Sequence, residues 1–146
     1  MTPVFEYPEA VRAFVAQGIF APGREFGAST AIGFATEDEG LVAGFVYHNY
    51  EPDTGVIEVS GYSTRRNWVN KALFKTIFDY PFKQLGCRMV VARHSATNKR
   101  VIRIWNALGA TQTTLPDLRG PNEAEVVALL KADDWHNSKF TRKSHG

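Results

Sequence analysis

The stretch Tyr62-Ser63-Thr64-Arg65-Arg66-Asn67 sets two adjacent arginines among small polar residues, immediately before a helical pattern. That is chemistry for holding an anion. Open backbone N–H groups at a helix N-terminus, the positive end of the helix dipole and two guanidinium groups together suit a phosphate or diphosphate. The same residues also read as solvated charges at a helix start, and charge alone does not choose between the two. Upstream, Tyr47, His48, Tyr50 and Tyr62 bring aromatic and polar groups to the ends of adjacent strand candidates. A small-molecule or peptide pocket has that character, and so does an edge-strand surface. Downstream, Arg93, Lys99, Arg100 and Arg103 form a basic cluster, either an anion contact or a solvated helix face. There is no phosphate-binding P-loop, Gly-x-Ser-x-Gly elbow or His-Glu-x-x-His, so nucleotide hydrolysis, serine-esterase and zinc-protease chemistry have no support.

Periodicity supplies the elements that must position these groups. Pro8 to Gln17 places Val11, Phe14 and Val15 on one helical face, with Gly18 as the stop. Ala21 to Ser29 reads as a loop able to shape a pocket. Strands are expected at Thr30 to Thr36, Leu41 to Tyr50 and Gly55 to Tyr62, joined by turn-rich separators into an antiparallel meander. From Asn67 to Tyr80 the pattern turns helical, with Val69, Ala72, Leu73, Thr76, Ile77 and Tyr80 on one stripe and Pro81 ending it. Cys87 to Arg93 reads as a buried strand. A second helix spans Asn98 to Leu108, its Val101, Ile104, Trp105 and Leu108 spaced for one face and Gly109 for its cap. Strands at Ala110 to Thr114 and Glu123 to Leu130, separated by a Pro/Gly loop at Pro116 to Asn122, complete the order. The helical crossover between the third and fourth strands should make those two parallel neighbours in a mixed sheet.

A chain of 146 residues with 44% hydrophobic and 22% charged residues has room for one substantial core. One domain is expected over residues 1–137, with a polar, basic, disordered tail over 138–146. A net charge of +2 neither demands a polyanionic partner nor excludes an anionic cofactor. The single Cys87 makes no internal disulfide, and no Cys/His spacing resembles a metal site, so no metal is expected. With no export signal at the N-terminus and no apolar run of membrane-spanning length, a cytoplasmic protein without a membrane partner is the default.

The family resemblance rests on three stretches. Arg65-Arg66-Asn67-Trp68-Val69-Asn70, placed before Ala72-Leu73, aligns with the [Q/R]-x-x-G-x-[G/A] diphosphate signature of the GNAT (GCN5-related N-acetyltransferase) superfamily. Arg65 matches, while Trp68 and Asn70 replace the two small residues whose lack of bulk lets a ligand come close. Asn98, followed by Ile104-Trp105-Asn106-Ala107-Leu108-Gly109-Ala110, resembles the family's N-x(5-6)-[aromatic]-x-x-L-G-[F/A] segment. Glu125 to Lys131 and the following Ala132-Asp133-Asp134-Trp135 are similar to the closing strand and acidic, tryptophan-bearing turn of ribosomal-protein N-terminal acetyltransferases. The Trp68/Asn70 variant, with Asp79-Tyr80-Pro81-Phe82 and Gln84-Leu85-Gly86-Cys87-Arg88 after it, resembles small acetyltransferase-like proteins of bacteriophages.

The resemblance implies an α+β fold: one GNAT-like domain with a mixed, mostly antiparallel sheet of six to seven strands and helices on both faces. It implies acetyl-CoA as cofactor, CoA as product, and transfer of the acetyl group to an amine by direct attack. It carries cofactor contacts onto Ser60, Gly61, Arg65, Arg66, Asn67, Trp68, Val69, Asn70, Asn98, Arg103 and Trp105. The reaction needs a base for the incoming amine and a donor for the departing thiolate. Glu58 is the base candidate, on the strand leading to the phosphate loop and on the face shared with Ser60 and Tyr62. It reads equally as an ordinary strand carboxylate. The family's frequent thiolate donor is a tyrosine, where this chain has Trp105, so Tyr62, Tyr47 and His94 are the substitutes. Tyr47, His48 and Tyr50 are the candidate acceptor pocket. The acceptor is an amine-bearing small molecule, a protein N-terminus or a lysine, and a homodimer is compatible with the chain. Two alternatives stay open: a CoA-binding protein with altered or lost chemistry, and a phage-type nucleic-acid-modifying or nucleic-acid-binding protein, which composition does not favour.

Overall fold

A computed structural model describes residues 1–67 and 70–141. The elements in chain order are β1 (Thr2–Val4), α1 (Pro8–Ile19), β2 (Thr30–Thr36), β3 (Gly40–Glu51), β4 (Val56–Ser63), α2 (Lys71–Asp79), β5 (Met89–Ser95), α3 (Lys99–Leu108), β6 (Thr111–Gly120), β7 (Glu123–Lys131) and α4 (Ala132–His136). The seven strands form one sheet in the order β1-β2-β3-β4-β5-β7-β6. Only β4 and β5 are parallel, because α2 carries the chain over one face between them. The remaining neighbours are antiparallel. The α+β architecture expected from the sequence is therefore present, with helices on both faces.

The two faces are unequal. On one, α2, α3 and α4 bury Phe74, Ile77, Phe78, Trp105, Leu108 and Trp135 against Ile32, Phe45, Ile57, Val90 and Leu130. Phe78 lies at the centre of that layer, with ring centroids 4.9 Å from Trp135 and 5.8 Å from Trp105. Truncating it to alanine would cost about 3–5 kcal/mol. On the other face α1 lies alone, Val11 and Val15 packing on Ala31 and Val46. It sits close because Gly33 and Gly44 are register partners beneath it. A Cβ on Gly33 would come within 2.7 Å of Val11 Cγ2, and one on Gly44 within 2.8 Å of Val15 Cγ2.

Several boundaries differ from the sequence expectation. Helix α2 starts at Lys71 rather than Asn67, because Asn70 caps it, its Oδ1 accepting from Leu73 N–H at 2.8 Å. Its stop is displaced too: Pro81 opens no break but lies near the start of a π-helical turn, Tyr80–Gln84, where its missing N–H is harmless. Strand β5 runs two residues further than Arg93 and takes in His94 and Ser95. The Pro/Gly stretch after Thr114 lies mostly within β6, which continues to Gly120 through a register shift, with Asp117 and Asn122 at positive φ. The edge strand β1 is too short to show a period in the sequence. Beyond residue 137 the packed chain continues to Thr141: Phe140 meets the Phe74 ring edge-on at 4.8 Å, and Thr141 Oγ1 donates to His136 C=O at 2.7 Å.

Candidate functional site

The parallel rung between β4 and β5 is short. It holds Val56↔Met89, Ile57↔Val90 and Glu58↔Val91, and then ends, although β4 continues to Ser63 and β5 to Ser95. Each strand stays with its other neighbour instead, β4 with β3 as far as Ser63 and β5 with β7 as far as Ser95. A wedge therefore opens in the middle of the sheet from Val59 and Ala92 onward.

Ladder alternation says which backbone groups face that wedge. Thr64 N–H donates to Val42 C=O at 2.9 Å, so the register makes Tyr62↔Gly44 and Ser60↔Val46 the hydrogen-bonded pairs. The N–H and C=O of Gly61 consequently turn to the opposite edge, into the wedge. On the facing strand, Ala132 N–H donates to Arg88 C=O at 2.9 Å, which by the same alternation turns the backbone of Arg93 toward β4. Both residues are exposed, and neither backbone finds a partner across the β4–β5 ladder, which ends at Glu58 and Val91. The N–H of Gly61 is thus available to a ligand oxygen. Gly61 itself is dictated by packing, since the Phe45 ring occupies the place of a Cβ.

On the α1 face, beside the wedge, β3 and β4 gather a polar cluster. His48 and Glu58 are register partners, with His48 Nε2 2.8 Å from Ser60 Oγ and 3.6 Å from Glu58 Oε2. Asn49 Nδ2 donates to Glu58 Oε1 at 3.0 Å and lies 3.3 Å from His48 Nδ1. Asn49 reaches both because β3 bulges there, putting Asn49 at φ 51, a left-handed conformation that asparagine tolerates. The Phe26 ring, from the loop after α1, covers His48 at a tilt of 57°, ring centroids 5.1 Å apart. That burial lowers the His48 pKa, opposed by the Glu58 charge, so the imidazole is mainly neutral near pH 7. Glu58 also lines an open depression of about 350 Å³ with Asn49, Glu51, Val56, Arg88 and Val91. Tyr62 shares this face, its ring on Gly18 and 5.5 Å from Phe14, and its hydroxyl has no hydrogen-bond partner among the described residues. Asn49 is the member that sequence reasoning missed, because only the bulge aims it.

Other expected site residues lie elsewhere. Tyr47 belongs to the opposite layer, buried, its hydroxyl donating to Ile77 C=O at 2.6 Å, and desolvation raises its pKa well above the ordinary tyrosine value. It cannot share a pocket with His48, its neighbour on the other side of the pleat, and its hydroxyl is engaged by the helix. Tyr50 is exposed at the far end of β3. Trp105 is a core residue against Phe78. Asn98 caps α3, its Oδ1 accepting from Val101 N–H at 3.3 Å, and Arg103 is exposed on that helix. Arg93 is spoken for: its Nε and Nη2 fork onto the buried Glu125 carboxylate, which holds the Glu125 pKa below the usual range.

His94 stands opposite Gly61 in the register of the last rung, with its side chain on the α3 side. Gln112 Nε2 donates to Ile102 C=O and Asn106 Oδ1, at 2.9 and 2.8 Å, so its Oε1, 3.1 Å from His94 Nε2, is the acceptor. The His94 proton is therefore on Nε2 and engaged, while Nδ1 is a buried acceptor without a partner among the described residues. Desolvation lowers its pKa. His94 is in the wrong state to protonate a thiolate.

The expected anion loop is partly used by the protein itself. The N–H of Thr64 goes to Val42 C=O, and that of Arg65 to Ser63 Oγ at 3.1 Å. The Arg65 guanidinium donates to Glu39 at 2.7 Å across the surface. Arg66 and Asn67 are exposed, and Asn70 serves as the α2 cap. Trp68 and Val69 lie outside the described residues. No group of three or more metal-ligating side chains occurs, and no helix is long and apolar enough to cross a membrane, among the described residues.

No protein-family model and no curated protein matches the sequence. Solved structures match the fold. A variant of the spermidine N-acetyltransferase SpeG from Vibrio cholerae superposes with a TM-score of 0.74 at 9% identity, over 94% of this chain and 98% of that one. The same Vibrio cholerae enzyme with manganese ions gives 0.73 at 9% identity, over 93% and 95%. A putative acetyltransferase gives 0.64 at 21% identity, over 87% and 69%. With its seven-stranded sheet, the wedge between its two parallel strands and these structural likenesses, the chain has the fold of the GNAT acetyltransferase superfamily.

Proposed function

We propose that the protein is an N-acetyltransferase that takes an acetyl group from acetyl-CoA and gives it to an amine bound on the α1 face. One observation carries the reading: the β4–β5 ladder ends after Glu58 and leaves the Gly61 N–H turned into the wedge. Acetyl-CoA would supply an acyl group already activated as a thioester. The residues present fit it unevenly. Gly61 suits the carbonyl, and the first turn of α2 with Arg66 and Asn67 suits the diphosphate, whereas Arg65 must first leave Glu39. Asn98, Arg103 and His94 Nδ1 lie on the α3 side, where the rest of the cofactor would run.

Glu58 takes the proton of the attacking amine, with Asn49 donating to its Oε1 and holding the carboxylate in place. Gly61 N–H steadies negative charge on the carbonyl oxygen in a site that needs no reorganisation. Tyr62 is the proton donor to the thiolate that the remaining chemistry favours, since Tyr47 and His94 are engaged. The acceptor is a small amine, a protein N-terminus or a lysine, and spermidine is a reasonable first choice because the structural neighbour is named for it.

Acetyl-CoA should raise the melting temperature through linkage. Glu58→Gln should then lower kcat by about 100-fold or more and remove the acid limb of the pH profile. A protein that acetyl-CoA does not stabilise loses this assignment. The engagement of Arg65 favours a second reading, a coenzyme-binding protein with altered chemistry, for which stabilisation without turnover on any amine is the signature. Salt-sensitive binding of DNA to the exposed Lys99 and Arg103 side, with no response to acetyl-CoA, would favour a nucleic-acid role instead.

A further inference from the structure

Hydrogen-bond polarity in the α1-face cluster can be worked out atom by atom. An ionised Glu58 only accepts, so the group 3.0 Å from its Oε1 must be the nitrogen end of the Asn49 amide. That nitrogen has two hydrogens and no lone pair to offer. Its second neighbour, His48 Nδ1 at 3.3 Å, must therefore present a lone pair, which puts the proton of the neutral ring on Nε2. Nε2–H has Ser60 Oγ at 2.8 Å, within hydrogen-bond range, and Glu58 Oε2 at 3.6 Å, outside it. The ring thus donates to Ser60. Among the described residues Ser60 Oγ has no other partner, so its own hydrogen remains to be given.

We propose that Ser60 is a hydrogen-bond donor to a carbonyl oxygen of the bound reactants, its direction set by the chain Glu58–Asn49–His48. Ser60 immediately precedes Gly61, so its hydroxyl on the α1 face and the Gly61 N–H in the wedge flank the same stretch of strand. Asn49 is the positioning residue: one amide group fixes both the carboxylate and the tautomer. The left-handed bulge gives it that reach. The polarity of the chain rests on geometry alone, while the identity of the carbonyl rests on the transferase reading.

Two measurements separate these parts. In protein labelled with 15N at histidine, ring correlations should report His48 as the Nε2–H tautomer. Asn49→Asp, which can only accept, should move the proton to Nδ1, and Asn49→Gly, which suits the positive φ, should leave a mixture. A wild-type His48 protonated on Nδ1, or a tautomer unmoved in Asn49→Asp, overturns the chain whether or not the protein transfers anything. In the transfer assay Ser60→Ala should lower kcat about tenfold with the KM for acetyl-CoA little changed, and Ser60→Thr should restore it. Full activity in Ser60→Ala overturns the donor role. A wild-type protein that transfers no acetyl group removes the carbonyl assignment with the transferase reading, and leaves the tautomer result to decide the chain.

Discussion

Gly61→Ala tests whether packing on the helical face sets the position of the amide in the wedge. An ideal Cβ at Gly61 would lie 2.6 and 2.7 Å from Cδ1 and Cε1 of Phe45. Carbon atoms prefer about 3.5–4.0 Å, so the added methyl overlaps the ring by about 1 Å. Phe45 is 6% exposed and edge-on to Phe34 at 5.9 Å, so it has little freedom to retreat. Either the core repacks around the ring or β4 shifts, and overpacking of this kind costs about 1–3 kcal/mol. For a chain of this length that is a fall in Tm of roughly 3–10 °C by calorimetry. A shift of β4 would also move the Gly61 N–H, so the Kd for acetyl-CoA should rise about tenfold by titration calorimetry. Phe45→Leu in the Gly61→Ala background should recover part of both losses, a non-additivity expected of residues in contact. A Gly61→Ala protein as stable as the parent, with the same Kd, would refute the link between this packing and the site.

Other outcomes follow from the same structure. Because Arg65 is held by Glu39, Glu39→Ala should tighten acetyl-CoA binding and Arg65→Ala should weaken it by up to about tenfold, both read by titration; equal Kd values across the three proteins would remove Arg65 from the site. Tyr47→Phe should cost about 1–2 kcal/mol in urea denaturation, since it strands the Ile77 carbonyl, yet leave kcat unchanged; a lost rate would return Tyr47 to the chemistry. Glu125 has a folded pKa lowered by Arg93, so its stabilisation is present above the unfolded value of about 4.3 and disappears as the pH falls through the lower folded value. Glu125→Gln should therefore flatten the acid side of a stability-versus-pH curve, and an unaltered slope below about pH 5 would count against the pairing.

The elements were legible where one residue type settles a local question. Asn98 and Gly109 bracket α3 as side-chain cap and left-handed terminus, and the stripe from Leu73 to Ile77 needs only a 3.6-residue period. The face of Glu58, shared with Ser60, follows from alternation alone. Less local features were hidden. Asn70 looked like a helix interior residue until its side chain was seen to cap, which moves the helix start from Asn67 to Lys71, away from the arginines. Tyr47 and His48 are adjacent in sequence and so point to opposite faces, and grouping them as one pocket ignored the pleat. The wedge depends on which neighbour each strand prefers, a question of register between distant segments. Asn49 entered the cluster only through an extra residue in β3, and nothing in its own type announces a bulge.

The three rungs joining β4 to β5 also divide the sheet mechanically. On one side lie β2, β3 and β4, knit by long antiparallel ladders, with the short β1 at their edge; on the other lie β5, β7 and β6, equally knit. Between them the backbone seam is Val56 to Glu58 against Met89 to Val91, backed by the helical layer. Amides past that seam, such as those of Gly61 and Arg93, should exchange with deuterium like those of an outer strand although they sit mid-sheet. A molecule seated there would act as a splint across two halves of one protein, slowing exchange on both at once.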